Sequence, residues 1–393
     1  METNTIPSSY RGGGSRTLVN NPYSFIINDG YEAYGKYTKI NMVNYAKNNI
    51  EVYRNITEIP DGHLPKDLDK LGYEDNWSNA FSDCSNLTSL PDPFYNWNGA
   101  VNISSIFYLC NKLTGSIPNI PNSVVDMSYA FESCTNLTGS IPNIPDSVTD
   151  IAGAFSFCYN LTGPIPNIPN SVTNMDSAFQ RCSNLTGTVP NIPNRVTNMD
   201  SAFYYCSNLT GAIGKIGNNV KNMCRAFYHC SNLTGSIPNI PNSVTNMDGA
   251  FYDCRNLTGF IPNIPNSVVY MHYAFWGCSN LTGNIPNIPN SVTNISCAFQ
   301  NCFNLTGPIP NIPNSVTDMD YSFRNCYNLK NSNVYIYSDN LNKYSITNCF
   351  DNIPSTINIY CHANTITYNA FANYVNESNN IGSNGPRYLY TFE

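Results

Sequence analysis

Charge is what this sequence has least of. Asp, Glu, Lys and Arg make up 11% of the chain, against roughly 25% in an ordinary soluble protein. Neutral polar groups must therefore wet its surface, and Asn, Ser, Thr and Tyr abound. The net charge is −7 with no basic block, so the phosphate-driven binding of nucleic acids has nothing to rest on. No run approaches the roughly 18 apolar residues that span a bilayer. The N-terminal segment, with Gly12, Gly13 and Gly14, has neither the basic start nor the apolar stretch of a secretory leader. It reads as a flexible tether, and no lipidation box accompanies it.

Catalytic groups are scarce too. The four histidines, His63, His229, His272 and His362, lie in no nucleophile motif. Neither a phosphate-cradling glycine loop nor a paired-carboxylate arrangement is present, and no cofactor is expected. The fifteen cysteines are odd in number and come without a secretion signal, which argues against a disulfide framework.

What is present is a repeat. Cys110, Cys134, Cys158, Cys182, Cys206, Cys230, Cys254, Cys278, Cys302 and Cys326 follow one another at intervals of 24 residues, with Cys84 and Cys349 as looser copies at the ends. One full unit runs from Ser171 through Met175, Ala178, Phe179, Cys182, Leu185 and Ile192 to Asn194. A period in the twenties marks a solenoid in which no coil buries its apolar side alone. Met175, Ala178, Phe179 and Cys182 fall at i, i+3, i+4 and i+7, which predicts a short helix in each coil. The Gly- and Pro-rich stretch after Leu185 excludes helix and predicts short extended segments. Stacking at about 4.8 Å turns each repeat position into a column. The Cys, Phe and Leu columns become buried spines, and Asn136, Asn160, Asn184 and their equivalents tie turns together through side-chain to backbone bonds.

Three regions follow: a non-repeat β-rich cap with tether over 1–78, the solenoid over 79–328, and a degenerate last coil with cap over 329–393. In the first, residues 23–34 read as a hairpin around Asn28-Asp29-Gly30. In the last, residues 333–337 and 356–360 read as alternating strands.

The motif Ala-Phe-x-x-Cys-x-Asn-Leu-Thr-Gly-x-Ile-Pro, with Ser-Val-Thr-Asn-Met ahead of it, resembles the BspA-like leucine-rich repeats of bacterial and protist surface proteins and of some bacteriophage proteins. The likeness covers about residues 79–350. It implies a leucine-rich-repeat solenoid of 24-residue coils, each with short parallel strands and a short helix. For function it implies adhesion or recognition without enzymatic activity. With the leader missing, the first expectation is a bacteriophage virion component, a fibre or decoration on the virion surface. It would contact protein or glycan on a host and other virion proteins through its N-terminal region. A structural spacer or oligomerising scaffold, and a cell-surface adhesin exported without a leader, are the alternatives. A homo-oligomer is open.

Specificity in a solenoid lies in the variable columns. The residue after each Phe is Tyr204, Tyr228, Tyr252 and Trp276 on four consecutive coils, flanked by Arg181, Tyr205, His229 and Asp253 one position on. Such an aromatic ladder offers stacking area to a sugar or a protein; equally, it covers the flank of a Tyr-rich fold. Two departures stand out. Residues 211–221 exchange the prolines of the repeat for Gly214 and Gly217 and gain Lys215 and Lys221, which reads as drift or a local contact site. Cys224, His229 and Cys230 offer metal-type ligands, but the column logic points them apart.

Overall fold

The computed structural model of the chain describes residues 78–79, 81–89, 100–380 and 385–392. The expected hairpin at 23–34 lies outside them. The chain divides into two compact units, 1–184 and 185–393, and within each the 24-residue coils stack in register. In the first unit one-residue parallel bridges link Asn102, Asp126, Asp150 and Asn174 in turn. In the second they run from Asn198 through Asn222, Asn246, Tyr270 and Asn294 to Asp318. On the opposite side of the coils the strands are two residues long: β1 (Gly115–Ser116), β2 (Leu137–Thr138), β3 (Gly163–Pro164) and β4 (Leu185–Thr186). β1 and β2 pair in parallel.

The expected helix in each coil is replaced by a chain of tight turns. Ala154, Ser156 and Cys158 donate to the carbonyls three residues back, while Gly153, Phe155 and Phe157 donate to Asp176, Ala178 and Gln180 of the next coil. The second unit repeats this: Gly249, Phe251 and Asp253 donate to His272, Ala274 and Trp276 at 2.6–2.9 Å. A helix would keep every N–H inside its own turn. Here every second one is sent sideways, which requires two left-handed residues per coil, such as Gly153 (φ 58°) and Phe157 (φ 60°) or Ser201 (φ 51°) and Tyr205 (φ 58°). Left-handed backbone costs a non-glycine residue roughly 1–2 kcal/mol. Three inter-coil bonds at about 1 kcal/mol each, together with the apolar burial they permit, offset it. The i, i+3, i+4, i+7 spacing correctly identified the inward face, because this turn repeats every four residues and so mimics a helical period.

The spines form as expected. Successive Phe rings stack 5.4–5.9 Å apart in each unit, Phe107 through Phe155 in the first and Phe227 through Phe323 in the second. Met, Ala, Cys and Leu of each coil are buried beside them. The Asn column ties coils as predicted: Asn160 Nδ2 donates to Thr135 at 2.9 Å and Asn232 Nδ2 to Ser207 at 2.9 Å. The thiols do more than fill space. Cys158 Sγ donates to the Phe131 carbonyl at 3.0 Å, and Cys254 Sγ to that of Phe227 at 3.0 Å. Each of these carbonyls also accepts the N–H three residues on, so both of its lone pairs are used. Replacing Cys254 with Ala should cost about 2 kcal/mol, the lost donor and the lost volume contributing comparably. Cys254→Ser should recover the donor part. Equal losses in urea unfolding would show that the S–H bond contributes nothing.

The Gly-containing coil is a positive feature rather than a gap. Gly214 N–H donates to Val189 at 3.0 Å, a bond that a proline at the same place in the other coils cannot make, and Lys215 C=O accepts from Ile192 at 2.8 Å. A Cβ at Gly217 would lie 2.1 Å from the Pro193 carbonyl oxygen, so only glycine permits this approach.

The last coil ends in a three-stranded parallel sheet, β5 (Ser332–Ile336), β6 (Ile357–His362) and β7 (Arg387–Phe392), in that order. The first two match the expected strands to within two residues. Between β6 and β7 runs α1 (Ile366–Asn380), which the purely β-rich expectation for this cap missed. Its alternating Tyr, Asn and Ala content obscures the helix, whose buried Ala370, Phe371 and Tyr374 close the end of the stack. Phe371 continues the ring column, 6.2 Å from Phe350.

Candidate functional site

The variable column after the core Phe belongs to the same turn that sends alternate N–H groups to the next coil. Its residues are therefore held at coil spacing by backbone bonds on both sides. In the second unit Tyr204 stacks on Tyr228 at 4.9 Å, Tyr228 on Tyr252 at 4.1 Å, and Tyr252 on Trp276 at 4.4 Å, the last two pairs within 6° of parallel. The four rings are half-buried. Their inner faces cover one another, so a partner meets mainly ring edges. Burial raises the Tyr228 hydroxyl above its ordinary pKa.

A second lane runs alongside, made from left-handed turn residues. Tyr205 lies 4.7 Å from Tyr204 and 4.4 Å from His229, and His229 sets its edge against Tyr252 at 5.2 Å. His229 Nδ1 is 2.8 Å from Asp253 Oδ2. Asp253 is only 3% exposed, and Arg255 clamps it with Nε at 2.6 Å and Nη2 at 2.9 Å. The carboxylate in turn holds the Arg255 guanidinium above its usual pKa. Next in the lane is Gly277 (φ 72°), where a Cβ would stand 3.1 Å from Asp253 Oδ1 and crowd the clamp. Tyr273 adds an edge contact to Tyr252 at 5.7 Å, its hydroxyl pushed up to about 12 by burial.

Six of the seven expected site residues thus meet in one patch: Tyr204, Tyr228, Tyr252, Trp276, Tyr205 and His229. Arg181 belongs to the first unit, where its guanidinium lies over the Phe157 ring at 5.6 Å. Arg255 and Tyr273 escaped the column reading. Arg255 stands two residues past Asp253 and is the one charged residue in the column that follows the Cys from Ser85 to Tyr327, and that charge was the available signal.

The rival constellations are otherwise engaged. Cys230 Sγ donates to Phe203 at 2.9 Å while His229 turns to Asp253, so the two do not converge on one point. Stacking also brings Asp248, His272 and Ser296 into one column on successive coils, an order the linear sequence hides. Asp248 Oδ1, however, accepts the His272 backbone N–H at 2.7 Å, and the buried Ser296 hydroxyl faces Cys297 Sγ at 4.0 Å. A nucleophile–base pair requires a hydrogen bond between hydroxyl and imidazole. Neither contact supplies one. No helix among the described residues is long and apolar enough to cross a membrane.

Stacked coils with buried Phe, Cys and Leu spines and a variable outer column define a repeat solenoid of the leucine-rich class. The model of the BspA-type leucine-rich repeat region matches residues 31–138, 100–234, 201–296 and 247–378, and the chain belongs to that family. A search of the curated proteins finds no match. Among solved structures, the TLR13 chain of a TLR13–ssRNA13 complex is similar at 14% identity and a TM-score of 0.25, over 78% of this chain. This chain spans about half, 53%, of that one, and the RNA is the partner of that protein. Leucine-rich repeat proteins of this kind are in general binding scaffolds rather than enzymes.

Proposed function

We propose that the chain is a non-enzymatic recognition module and that its second unit binds a protein partner through the row Tyr204, Tyr228, Tyr252 and Trp276. The observation that carries this reading is the stack itself, four large rings at 4.1–4.9 Å held rigid by coil-to-coil bonding. Tyr, Trp and Arg dominate the energetics of protein interfaces, and a side chain already immobilised loses little entropy on binding. A platform for sugar rings needs open aromatic faces. Here the inner faces are covered, which favours protein over glycan. Arg255 and His229, both held by the buried Asp253, supply polar contacts at the margin.

Changing all four row residues to Ala should weaken binding to intact partner cells at least ~30-fold, the loss of one hot spot of about 2 kcal/mol. The unfolding midpoint serves as the control for folding. Protease treatment of the cells should abolish binding and periodate treatment should not; the reverse would favour a glycan. Unchanged binding by the Ala variant would leave the spacer reading standing. Mass spectrometry of purified virions decides whether this recognition takes place on a phage particle, as the resemblance first suggests, or on a cell surface.

A further inference from the structure

Among the described residues, the sheet at the end of the stack is paired with a coil along one edge only. β5 is bonded to the preceding coil through Ile312, which donates to Tyr335 and accepts from Tyr337, both at 2.9 Å. β7 is the other edge. Edges of this kind are normally blunted by proline, exposed charge or shortness. β7 is six residues long, contains no proline, and its one charged residue, Arg387, is fully buried. Tyr388 and Tyr390 are 48% and 43% exposed, and Leu389 is half-buried although Val334 and Ile359 in the same column are fully covered.

The direction of the free groups is fixed by the ladder. Ile357 N–H donates to Pro386 C=O at 3.0 Å and pairs in register with Arg387. Bonding residues alternate along a parallel strand, so the backbone of Tyr388 and Tyr390 turns toward β6 and that of Leu389 and Thr391 turns outward. The backbone of Arg387 also turns outward, but the residue is completely covered and unavailable.

We infer that β7 pairs antiparallel with β7 of a second copy of this chain, across a twofold axis at Tyr390. A twofold pairing must match residues of the same face, which centres it on a residue rather than between two. Centring on Tyr390 places Leu389 opposite Thr391 of the second copy, so the bonded pairs are those whose N–H and C=O already face outward. Centring on Leu389 would require the covered Arg387. Tyr390 then faces its own counterpart in a non-bonded pair, where side chains approach most closely. The stack Tyr335–Tyr360–Tyr390, spaced 4.7 and 5.0 Å, thereby continues into the second copy. This pairing is independent of the aromatic row that binds a partner.

Sedimentation of the full chain over a concentration series should show a monomer–dimer equilibrium. Thr391→Pro removes one outward N–H and no bond to β6, and should give monomer. Because residue 390 faces itself, Tyr390→Lys and Tyr390→Glu should each raise the dissociation constant at least ~10-fold alone through like-charge opposition. Mixed in equal amounts, they should form a heterodimer. Thermal unfolding of each variant confirms that the unit remains folded. Wild-type chain that stays monomeric throughout, or a dimer that survives Tyr390→Lys, overturns the inference.

Discussion

Above about pH 9 the second unit should lose stability faster than almost any ordinary domain. Burial holds the thiols of Cys230, Cys254, Cys278, Cys302 and Cys349 well above their ordinary pKa. It pushes Cys297 to about 11 and Cys326 and Cys361 to about 12. In the unfolded chain a thiol loses its proton near about 8.5. Between that value and the folded pKa the unfolded state binds fewer protons than the folded one, so stability falls as pH rises. Below about pH 8 the thiol contribution is fully present and flat. Each thiol contributes a slope of about 1.4 kcal/mol per pH unit, and the eight together on the order of 10. Total stabilities are about 5–15 kcal/mol, so unfolding should be complete little more than one pH unit past the onset. Circular dichroism under reducing conditions should show a cooperative transition between about pH 9 and 10.5. A structure unchanged at pH 10.5 would refute a protonated thiol column. The buried tyrosines act in the same direction above pH 10, Tyr273 titrating only at about 12.

Removing Arg387 should be the most damaging single substitution at the end of the stack. The residue is fully buried and its guanidinium donates to five carbonyls. Nη1 reaches Ser355 at 2.9 Å, Gly385 at 2.6 Å and Pro386 at 3.3 Å, and Nη2 reaches Phe350 at 2.9 Å and Ile353 at 2.8 Å. Ile353 and Pro386 also accept from the N–H groups of Gly385 and Ile357, both at 3.0 Å; for the Ser355, Gly385 and Phe350 carbonyls the guanidinium is the donor. The planar fork thus does at the terminus what the next repeat does elsewhere. Burial lowers the Arg387 pKa, yet even so its charge is retained at any ordinary pH. Arg387→Met keeps the bulk and strands the Ser355, Gly385 and Phe350 carbonyls, at an expected cost of about 3–5 kcal/mol. For a unit of this size that is roughly 10 °C in unfolding midpoint. Arg387→Lys should recover little, since a point charge cannot reach both groups of carbonyls. A midpoint within about 2 °C of wild type for Arg387→Met would mean that α1 alone closes the stack.

The columns were legible because a solenoid turns sequence period into spatial neighbourhood. Cys158, Phe155 and Leu161 could be assigned to buried spines from their spacing alone, and Tyr204, Tyr228, Tyr252 and Trp276 to one outer row. The helix was misread because a turn repeating every four residues presents the same apolar period. Only the bond pattern separates the two, with every second N–H sent to the neighbouring coil. The Asp253–Arg255 clamp was half visible, since column logic placed Asp253 beside His229 but a link between residues two apart has no periodic signature.

The amino-acid sequence by itself determined that the chain stacks, at what period, with which side chains inside and which outside. Those facts depend only on repetition and on the free energy of burying apolar groups. Tertiary structure decided how the turn is built, that the row rings stack face to face with mainly their edges open, that thiols serve as hydrogen-bond donors, and that one buried arginine ends the stack. Each of these depends on the direction of a bond or a ring plane. Direction is settled between coils, where neighbours fix the orientation that a residue's identity leaves free.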